Sequence, residues 1–199
     1  MSRGPAVTAR MSDEELIRAF VDGSEDAFTL LVGKYKNPLV NFVYRILGDY
    51  DDALDVVQET FVRLHQKAHT YRPVAKFSTW IYTIASNLAK TDLRRRKWRV
   101  PVPARTGDVD STPRHVFIDG GNRPDGSADR ALLSEAVQKA LMTLPEQFRQ
   151  VVVLFYLEDL SYDEICAILR IGMGTLKSRL NRARTMLGHA LGPMMRDDD

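Results

Sequence analysis

The 199-residue chain has 44% hydrophobic and 27% charged residues, which is typical of a globular protein with one large or two small domains. Charged residues interrupt every apolar stretch, which excludes a membrane-spanning helix and a signal peptide, so we expect a cytoplasmic protein without membrane insertion. The single cysteine, Cys166, excludes an intramolecular disulfide and a C-x-x-C metal site. The net charge of +2 conceals an acidic block at 49–59 and basic blocks at 90–99 and 177–184, which indicate one basic and one polyanionic partner.

The first two predicted helices begin at serine residues and end at glycines. Ser12 and Glu15 have the spacing of a capping box, and the apolar pattern that follows them ends at Gly23. A second helix is predicted after Ser24, with Pro38 expected to break or kink it and the pattern closing at Gly48.

Two further helices complete a predicted N-terminal domain at 12–99. The third begins near residues 49–52, where acidic side chains complement the positive end of a helix dipole. The fourth covers 77–97 and has an apolar side that includes Trp80 and Ile84. Residues 1–11 are predicted to form a disordered tail.

Residues 100–126 are rich in proline, glycine and aspartate, and they predict an extended or disordered linker. A second helical domain is predicted at 127–192, followed by a C-terminal tail at 193–199. Within it Ser161 begins a second capping box, a short helix runs to about Arg170, Gly172 and Gly174 mark a turn, and Thr175 caps a final helix through Leu187. The expected fold class is therefore all-α, with two small helical domains joined by a flexible linker.

The last two predicted helices have the proportions of a helix-turn-helix, whose second helix enters the DNA major groove. Cationic and amide side chains near the start of that helix suit base edges and phosphates. A solvent-exposed basic helix in a bundle is the alternative. The candidate DNA contacts are Lys177, Ser178, Arg179, Asn181 and Arg182.

Several segments together resemble regions two and four of the extracytoplasmic-function (ECF) sigma factors, members of the sigma-70 family. Regions two and four would be joined directly, without a recognisable third domain. One departure concerns the helix-turn-helix, where Arg170 stands at a position that is often glycine, so a left-handed backbone there would carry a Cβ cost and the turn is expected to be looser. The segments that carry the resemblance are DALDVVQETF at 52–61, FSTWIYTIA at 77–85, Asn87 through Arg96, LPE at 144–146, SYDEI at 161–165, GTLKSRL at 174–180 and RAR at 182–184.

The resemblance implies a role for each segment in transcription initiation. The acidic helix would bind the β′ clamp helices of core RNA polymerase through Asp52, Asp55, Gln58 and Glu59, of which the three acids also share one helical stripe by their spacing. The second domain would contact the β flap and read the −35 element, with Thr175 added to the candidate contacts. An anti-sigma factor is the further partner implied. The −10 contacts and the residues for melting would be Tyr71, Lys76, Trp80, Asn87, Lys90, Arg94 and Arg95.

Two of these assignments have their own physical argument. Unstacked bases need aromatic surfaces, and Tyr71 is a better candidate than Trp80, which also fits the apolar side of its helix. Promoter elements two helical turns apart lie roughly 70 Å from each other. A linker of nearly thirty residues spans about 80–90 Å when extended, so it can bridge them.

Two other classes of function are the alternatives. A stand-alone helix-turn-helix regulator would bind specific DNA without polymerase. A nucleic-acid-processing enzyme would need a metal or nucleophile site, and the sequence offers only His65 and His69, four residues apart and without an evident third ligand. We therefore expect no catalysis, no metal and no cofactor.

Overall fold

The computed structural model describes residues 10–98 and 127–194, with side chains described over 10–98 and 135–191. The predicted linker and most of the two predicted tails lie outside these residues. Every regular element of the described ranges is helical, and the helices form two groups, α1–α4 and α5–α8, which confirms the all-α, two-domain prediction. Their bounds are α1 Asp13–Val21, α2 Glu25–Leu47, α3 Tyr50–Lys67, a 3-10 turn Ala68–Thr70, α4 Phe77–Trp98, α5 Ser127–Thr143, α6 Glu146–Val152, a π-helical turn Val153–Leu157, α7 Tyr162–Leu169 and α8 Met173–Met194.

The domain limits at 12–99 and 127–192 remain predictions. The helix α8 continues to Met194, two residues into the segment predicted as a C-terminal tail. None of the described helices is both long enough and apolar enough to span a membrane.

Local signals fix the start of α1 and the end of α2. The hydroxyl of Ser12 accepts a hydrogen bond from the Glu15 amide at 3.2 Å, and the Ser12 amide donates to the Glu15 carboxylate at 2.7 Å. The capping box predicted there is confirmed. The helix α2 ends at Gly48, whose φ of 77° is a left-handed conformation that glycine adopts without steric cost.

Of the two outcomes predicted for Pro38, a break or a kink, the break was wrong, since α2 runs through this residue from Glu25 to Leu47. Proline cannot donate to the carbonyl four residues earlier, here that of Lys34. Both Pro38 and Lys34 are exposed, so water can satisfy the freed carbonyl. The buried side chains of α2 on either side keep the helix in place on the core.

The first domain is built around α2, against which α1, α3 and α4 pack. Phe42, Leu64 and Phe77 are completely buried at the centre of this domain. Burial of each such side chain contributes roughly 1.5–3 kcal/mol to stability. Because these residues fix the apolar faces of α3 and α4 inward, the acidic side of α3 and the basic side of α4 face outward.

The helix-turn-helix is formed by α7 and α8. The hydroxyl of Ser161 accepts from the Glu164 amide and the Ser161 amide donates to the Glu164 carboxylate, which confirms the second capping box. Arg170 is left-handed, with φ 55°, at a cost of about 1–2 kcal/mol for a residue with a Cβ. The turn is nevertheless closed, because the amides of Arg170 and Ile171 both donate to the Cys166 carbonyl.

The prediction that Thr175 caps the final helix was wrong. The helix α8 begins at Met173, so Thr175 is its third residue. The Gly172 carbonyl accepts from the Leu176 amide at 3.0 Å, which places the first helical hydrogen bond one turn earlier than the sequence suggested. The helix also continues beyond the predicted end at Leu187, to Met194.

Candidate nucleic-acid and protein interfaces

The helix α8 presents the predicted −35 residues on its outer side. Leu176, Leu180 and Ala183 are at most 2% exposed and anchor the inner side against α6 and α7. Since helical spacing turns the residues between them outward, the candidate DNA contacts share one surface. Thr175, Lys177, Ser178, Asn181 and Arg182 are exposed, and Arg179 is half-buried.

A groove beside the start of α8 adds two residues that the sequence did not single out. Gln147 and Phe148 of α6 line it together with Thr175, Ser178 and Arg179. The positive end of the α8 dipole and two arginines lie at this groove, which suits a phosphate or a base edge. No local motif points to Gln147, because α6 reaches the site only through its packing on α8.

On α4 the predicted −10 residues divide into exposed and half-buried positions. Asn87, Arg94 and Arg95 are exposed. Lys90 is half-buried, and its burial lowers the pKa of the ammonium group; the charge of Glu146 opposes this shift, while Arg179 and Arg170 of the second domain add to it. A predicted −10 residue and a predicted −35 residue are therefore close enough to repel each other.

The three consecutive arginines of α4, Arg94, Arg95 and Arg96, differ in their contacts. Arg96 forms ion pairs with Asp92 on its own helix, at 2.6 Å, and with Asp52 on α3. Its guanidinium group is therefore engaged in joining α4 to α3, and Arg94 and Arg95 are left for an external partner.

The loop before α4 carries an aromatic cluster. The ring of Tyr71 lies 5.3 Å from that of Trp80 and 5.9 Å from that of Phe77. The hydroxyl of Tyr71 donates to the Ala75 carbonyl at 2.9 Å and so orders the loop, whose Val74 is 93% exposed. Phe77 is buried, whereas Tyr71 and Trp80 are half-buried, so these two rings have accessible area on which a base can stack.

Lys76 ends this loop, and its side chain contacts the second domain. Its ammonium group forms an ion pair at 2.9 Å with Glu164, the capping-box residue of α7. No sequence pattern indicates this pairing, because the two residues lie in different domains.

The predicted polymerase-binding residues lie along α3 but differ in their exposure and in their ion pairs. Asp55, Gln58 and Glu59 are exposed, whereas Asp52 is half-buried. Burial raises the pKa of the Asp52 carboxyl, and the charge of Arg96 offsets part of that shift. Glu59 pairs with Arg63 at 2.7 Å, and the ion pairs found in the described part of the chain do not include Asp55.

His65 occupies an aromatic setting. Its ring lies 5.1 Å from Phe20 and 5.2 Å from Phe28, so it packs at the edge of the α1–α2–α3 core. Over residues 10–98 and 127–194, no three His, Cys, Asp or Glu side chains form a group that would hold a metal ion.

Comparisons with known proteins give concordant matches in both domains. The sequence model of Sigma-70 region 2 matches residues 31–99, and that of Sigma-70, region 4 matches residues 134–187. The ECF RNA polymerase sigma factor SigW of Bacillus subtilis is 33% identical over 178 residues, covering 89% of this chain and 95% of SigW. The ECF RNA polymerase sigma-E factor of Escherichia coli is 32% identical over 195 residues, covering 96% of this chain and all of sigma-E.

Two solved structures have the same fold. CnrH, in its complex with the cytosolic domain of CnrY, superposes with a TM-score of 0.66 at 24% identity, over 94% of this chain and 99% of CnrH. The sigma factor RpoE of Bartonella quintana, in complex with the anti-sigma factor NepR, superposes with a TM-score of 0.62 at 23% identity, over 83% of this chain and 96% of RpoE.

Proposed function

We infer the role of each surface from one premise: this chain belongs to the extracytoplasmic-function (ECF) sigma factors of the sigma-70 family. It acts in transcription initiation by directing core RNA polymerase to promoters. We propose that it has no catalysis of its own and works in the cytoplasm, alongside the polymerase. The observation that supports this division of labour is the placement of two basic surfaces and one acidic surface on three different helices.

We propose that α8 reads the −35 element. Its exposed side offers one half-buried arginine, Arg179, next to a groove, surrounded by exposed Lys177, Asn181 and Arg182. A partly buried arginine at a groove is suited to bidentate contact with a guanine, and exposed cations are suited to phosphates. Thr175 and Ser178 complete this surface at the start of the helix.

We propose that α4 and the loop before it bind and melt the −10 element. Arg94 and Arg95 track phosphates, and Lys90 and Asn87 lie one and two turns before Arg94 on the same helix. Tyr71 and Trp80 supply stacking area for an unpaired base, which is worth roughly 1–3 kcal/mol. Lys76 is at the edge of this aromatic cluster and contacts the backbone of the melted strand.

The protein partners follow from the remaining surfaces. Asp55, Gln58 and Glu59, with Asp52 at one end, form the site for the β′ clamp helices, while the second domain contacts the β flap. An anti-sigma factor is proposed as a further partner, since CnrH and RpoE were solved in complexes with CnrY and with the anti-sigma factor NepR.

The test of the function is transcription from defined start sites. Core RNA polymerase is incubated with genomic promoter fragments, with and without this chain, and transcript 5′ ends are mapped. We expect discrete start sites only in the presence of the chain. A gel shift on the same fragments separates a stand-alone regulator from a sigma factor: specific binding without core polymerase, together with unchanged start sites, would contradict the proposal.

Replacing Tyr71 by alanine should slow open-complex formation about ten-fold, with a much smaller effect on initial promoter binding. The change removes a stacking surface that is needed only once the bases are unpaired. Permanganate footprinting over time measures the rate of opening, and a heparin-sensitive gel shift measures initial binding.

The matched control for this prediction is Tyr71→Phe. It keeps the ring and removes only the hydrogen bond to the Ala75 carbonyl. We expect near-normal opening with phenylalanine. If both variants slow opening equally, Tyr71 acts by ordering the loop and not by stacking.

A further inference from the structure

The beginning of α4 is held by α1, a helix that contributes no residue to the proposed DNA or polymerase contacts. The carboxylate of Glu14, in the first turn of α1, accepts a hydrogen bond from the Phe77 amide at 3.0 Å. Phe77 is the first residue of α4, and 63 positions separate it from Glu14. The two segments therefore meet only through the tertiary fold of the first domain.

This hydrogen bond supplies a cap that the residue before α4 cannot supply. The amides in the first turn of a helix have no partner within the helix, and a Ser, Thr, Asp or Asn just before the helix usually accepts from one of them. The residue at that position of α4 is Lys76, whose ammonium group donates but cannot accept. Its carbonyl accepts the first helical hydrogen bond, from the Trp80 amide at 3.3 Å. The Glu14 carboxylate therefore takes the place of a local cap, and its negative charge lies at the positive end of the α4 dipole.

The residues on either side of Glu14 fix the turn of α1 that carries it. The capping box of Ser12 and Glu15 orders the backbone of this turn. The Asp13 carboxylate accepts from the Tyr35 hydroxyl at 2.6 Å, which ties the same turn to α2. Burial raises the pKa of the Tyr35 hydroxyl and the hydrogen bond to Asp13 adds to the shift, so this hydroxyl stays a donor. The position of the Glu14 side chain is therefore set by contacts of its neighbours in the chain.

The residue that Glu14 caps lies between the two proposed stacking rings. The Phe77 ring, which is completely buried, lies 5.9 Å from the ring of Tyr71 and 6.0 Å from that of Trp80. Glu14 is also close to the Tyr71 hydroxyl, whose pKa is raised mainly by burial and further by the charge of Glu14. In addition, α1 contacts the 3-10 turn that precedes Tyr71. A shift of the Phe77 backbone would therefore move both rings on which an unpaired base is proposed to stack.

The core of the first domain does not depend on this hydrogen bond. Leu16 and Ile17 anchor α1, and Ile81 anchors α4, each with at most 3% of its surface exposed. Loss of the bond to Glu14 would free one amide and the loop before it while these apolar contacts stay in place. The effect of Glu14 should therefore be confined to the loop at 71–76 and the first turn of α4.

We propose that Glu14 is a positioning residue for promoter melting: by capping α4 from α1, it holds Tyr71 and Trp80 in the arrangement that receives an unpaired base of the −10 element. The proposal rests on the proposed function for its consequence at the promoter. The capping itself is a property of the free chain and is measured without polymerase or DNA.

The capping is tested by amide hydrogen exchange of the full-length free chain, followed by NMR. Glu14→Ala should speed exchange of the Phe77 amide about five-fold, which is the effect of losing a helix cap of typical strength. The amide of Leu88, in the middle of α4, should keep its exchange rate. Glu14→Gln keeps an acceptor oxygen for the Phe77 amide and should exchange nearly as slowly as the unchanged chain. Glu25→Ala, the matched control, removes an exposed acid from the first turn of α2 and should change neither rate.

The consequence for melting is measured with holoenzyme on two templates. On a duplex promoter, Glu14→Ala should slow open-complex formation by a similar factor of about five. On the same promoter with its −10 element already unpaired by mismatches, most of this defect should disappear, because no bases remain to be separated. Glu14→Gln and Glu25→Ala should open the duplex promoter at nearly the unchanged rate.

The outcomes separate this inference from the proposed function. Unchanged exchange of the Phe77 amide in Glu14→Ala, or equal effects of the alanine and glutamine variants, overturns capping by this hydrogen bond. Faster exchange at Leu88 as well, or equal slowing on both templates, shows a general loss of stability and overturns the positioning role. Faster exchange confined to Phe77, with slow opening of the duplex alone, supports it. If the unchanged chain directs no transcription from defined start sites, the proposed function fails, and the exchange rates still decide whether Glu14 caps α4.

Discussion

Replacing Asp55 by arginine should weaken the binding of this chain to core RNA polymerase at least about ten-fold while leaving its fold intact. Asp55 is exposed on α3, and the ion pairs of the described residues leave it available for a partner. Reversing its charge turns an attraction to a basic surface into a repulsion, which typically costs several kcal/mol at a protein interface. The dissociation constant, measured by anisotropy of labelled chain titrated with core polymerase, reports the effect.

The control for this prediction is Asp22→Arg. Asp22 is exposed at the end of α1, away from the stripe, and the substitution changes the net charge by the same amount. It should leave the affinity for core polymerase nearly unchanged. If both variants weaken binding equally, long-range charge and not a specific contact of α3 explains the attraction.

Asp52 is a poor choice for the same experiment, although it lies on the same stripe. Its carboxylate pairs with Arg96 and joins α3 to α4. Reversing this charge would place two cations together at a half-buried position, so a loss of polymerase binding there would mix a lost contact with a weakened domain. The sequence pattern makes Asp52 and Asp55 equivalent candidates, whereas the structure makes Asp55 the better residue for testing polymerase binding.

The helices and their ends could be predicted because their causes are local. The capping boxes at Ser12 and Ser161 and the glycine stop at Gly48 depend on side chains within a few residues of one another. The exposed side of α8 could be predicted for a similar reason. The spacing of the buried Leu176 and Leu180 determines which residues of the helix face outward.

The errors arose where tertiary context outweighs local propensity. Pro38 is accommodated because it lies on the exposed side of a helix held by its buried side. Thr175 has a good capping side chain, but α8 begins one turn before it.

Contacts between the domains could not be predicted at all. Arg149 looks like an ordinary surface residue of an amphipathic helix, yet it is buried and binds a carbonyl about a hundred positions earlier in the chain. Tyr82 and Glu158 give no mutual signal either, because neither is near the other in sequence and each fits its own helix or turn. When two segments that are distant in sequence pack together, their contact produces no periodic pattern in the sequence.

Replacing Arg179 by alanine should reduce discrimination at the upstream promoter element by about 1–3 kcal/mol, which corresponds to roughly 5- to 150-fold. Arg179 is half-buried on α8 and lines the groove with Phe148 and Gln147. The planar guanidinium group matches the two acceptors on the edge of a guanine, so removing it affects base choice more than general affinity. Holoenzyme binding to promoters with each base at every −35 position measures the loss.

Arg184→Ala is the matched control, because it removes the same charge from the same helix. The Arg184 guanidinium donates to the Tyr156 hydroxyl and lies over the Tyr156 ring, so it faces the π-helical turn and not the groove. We expect its substitution to leave base preferences unchanged. Equal, sequence-independent losses in both variants would show that Arg179 contacts phosphate, and the base-reading register would then move to Asn181 and Arg182, which lie next along the exposed side of α8.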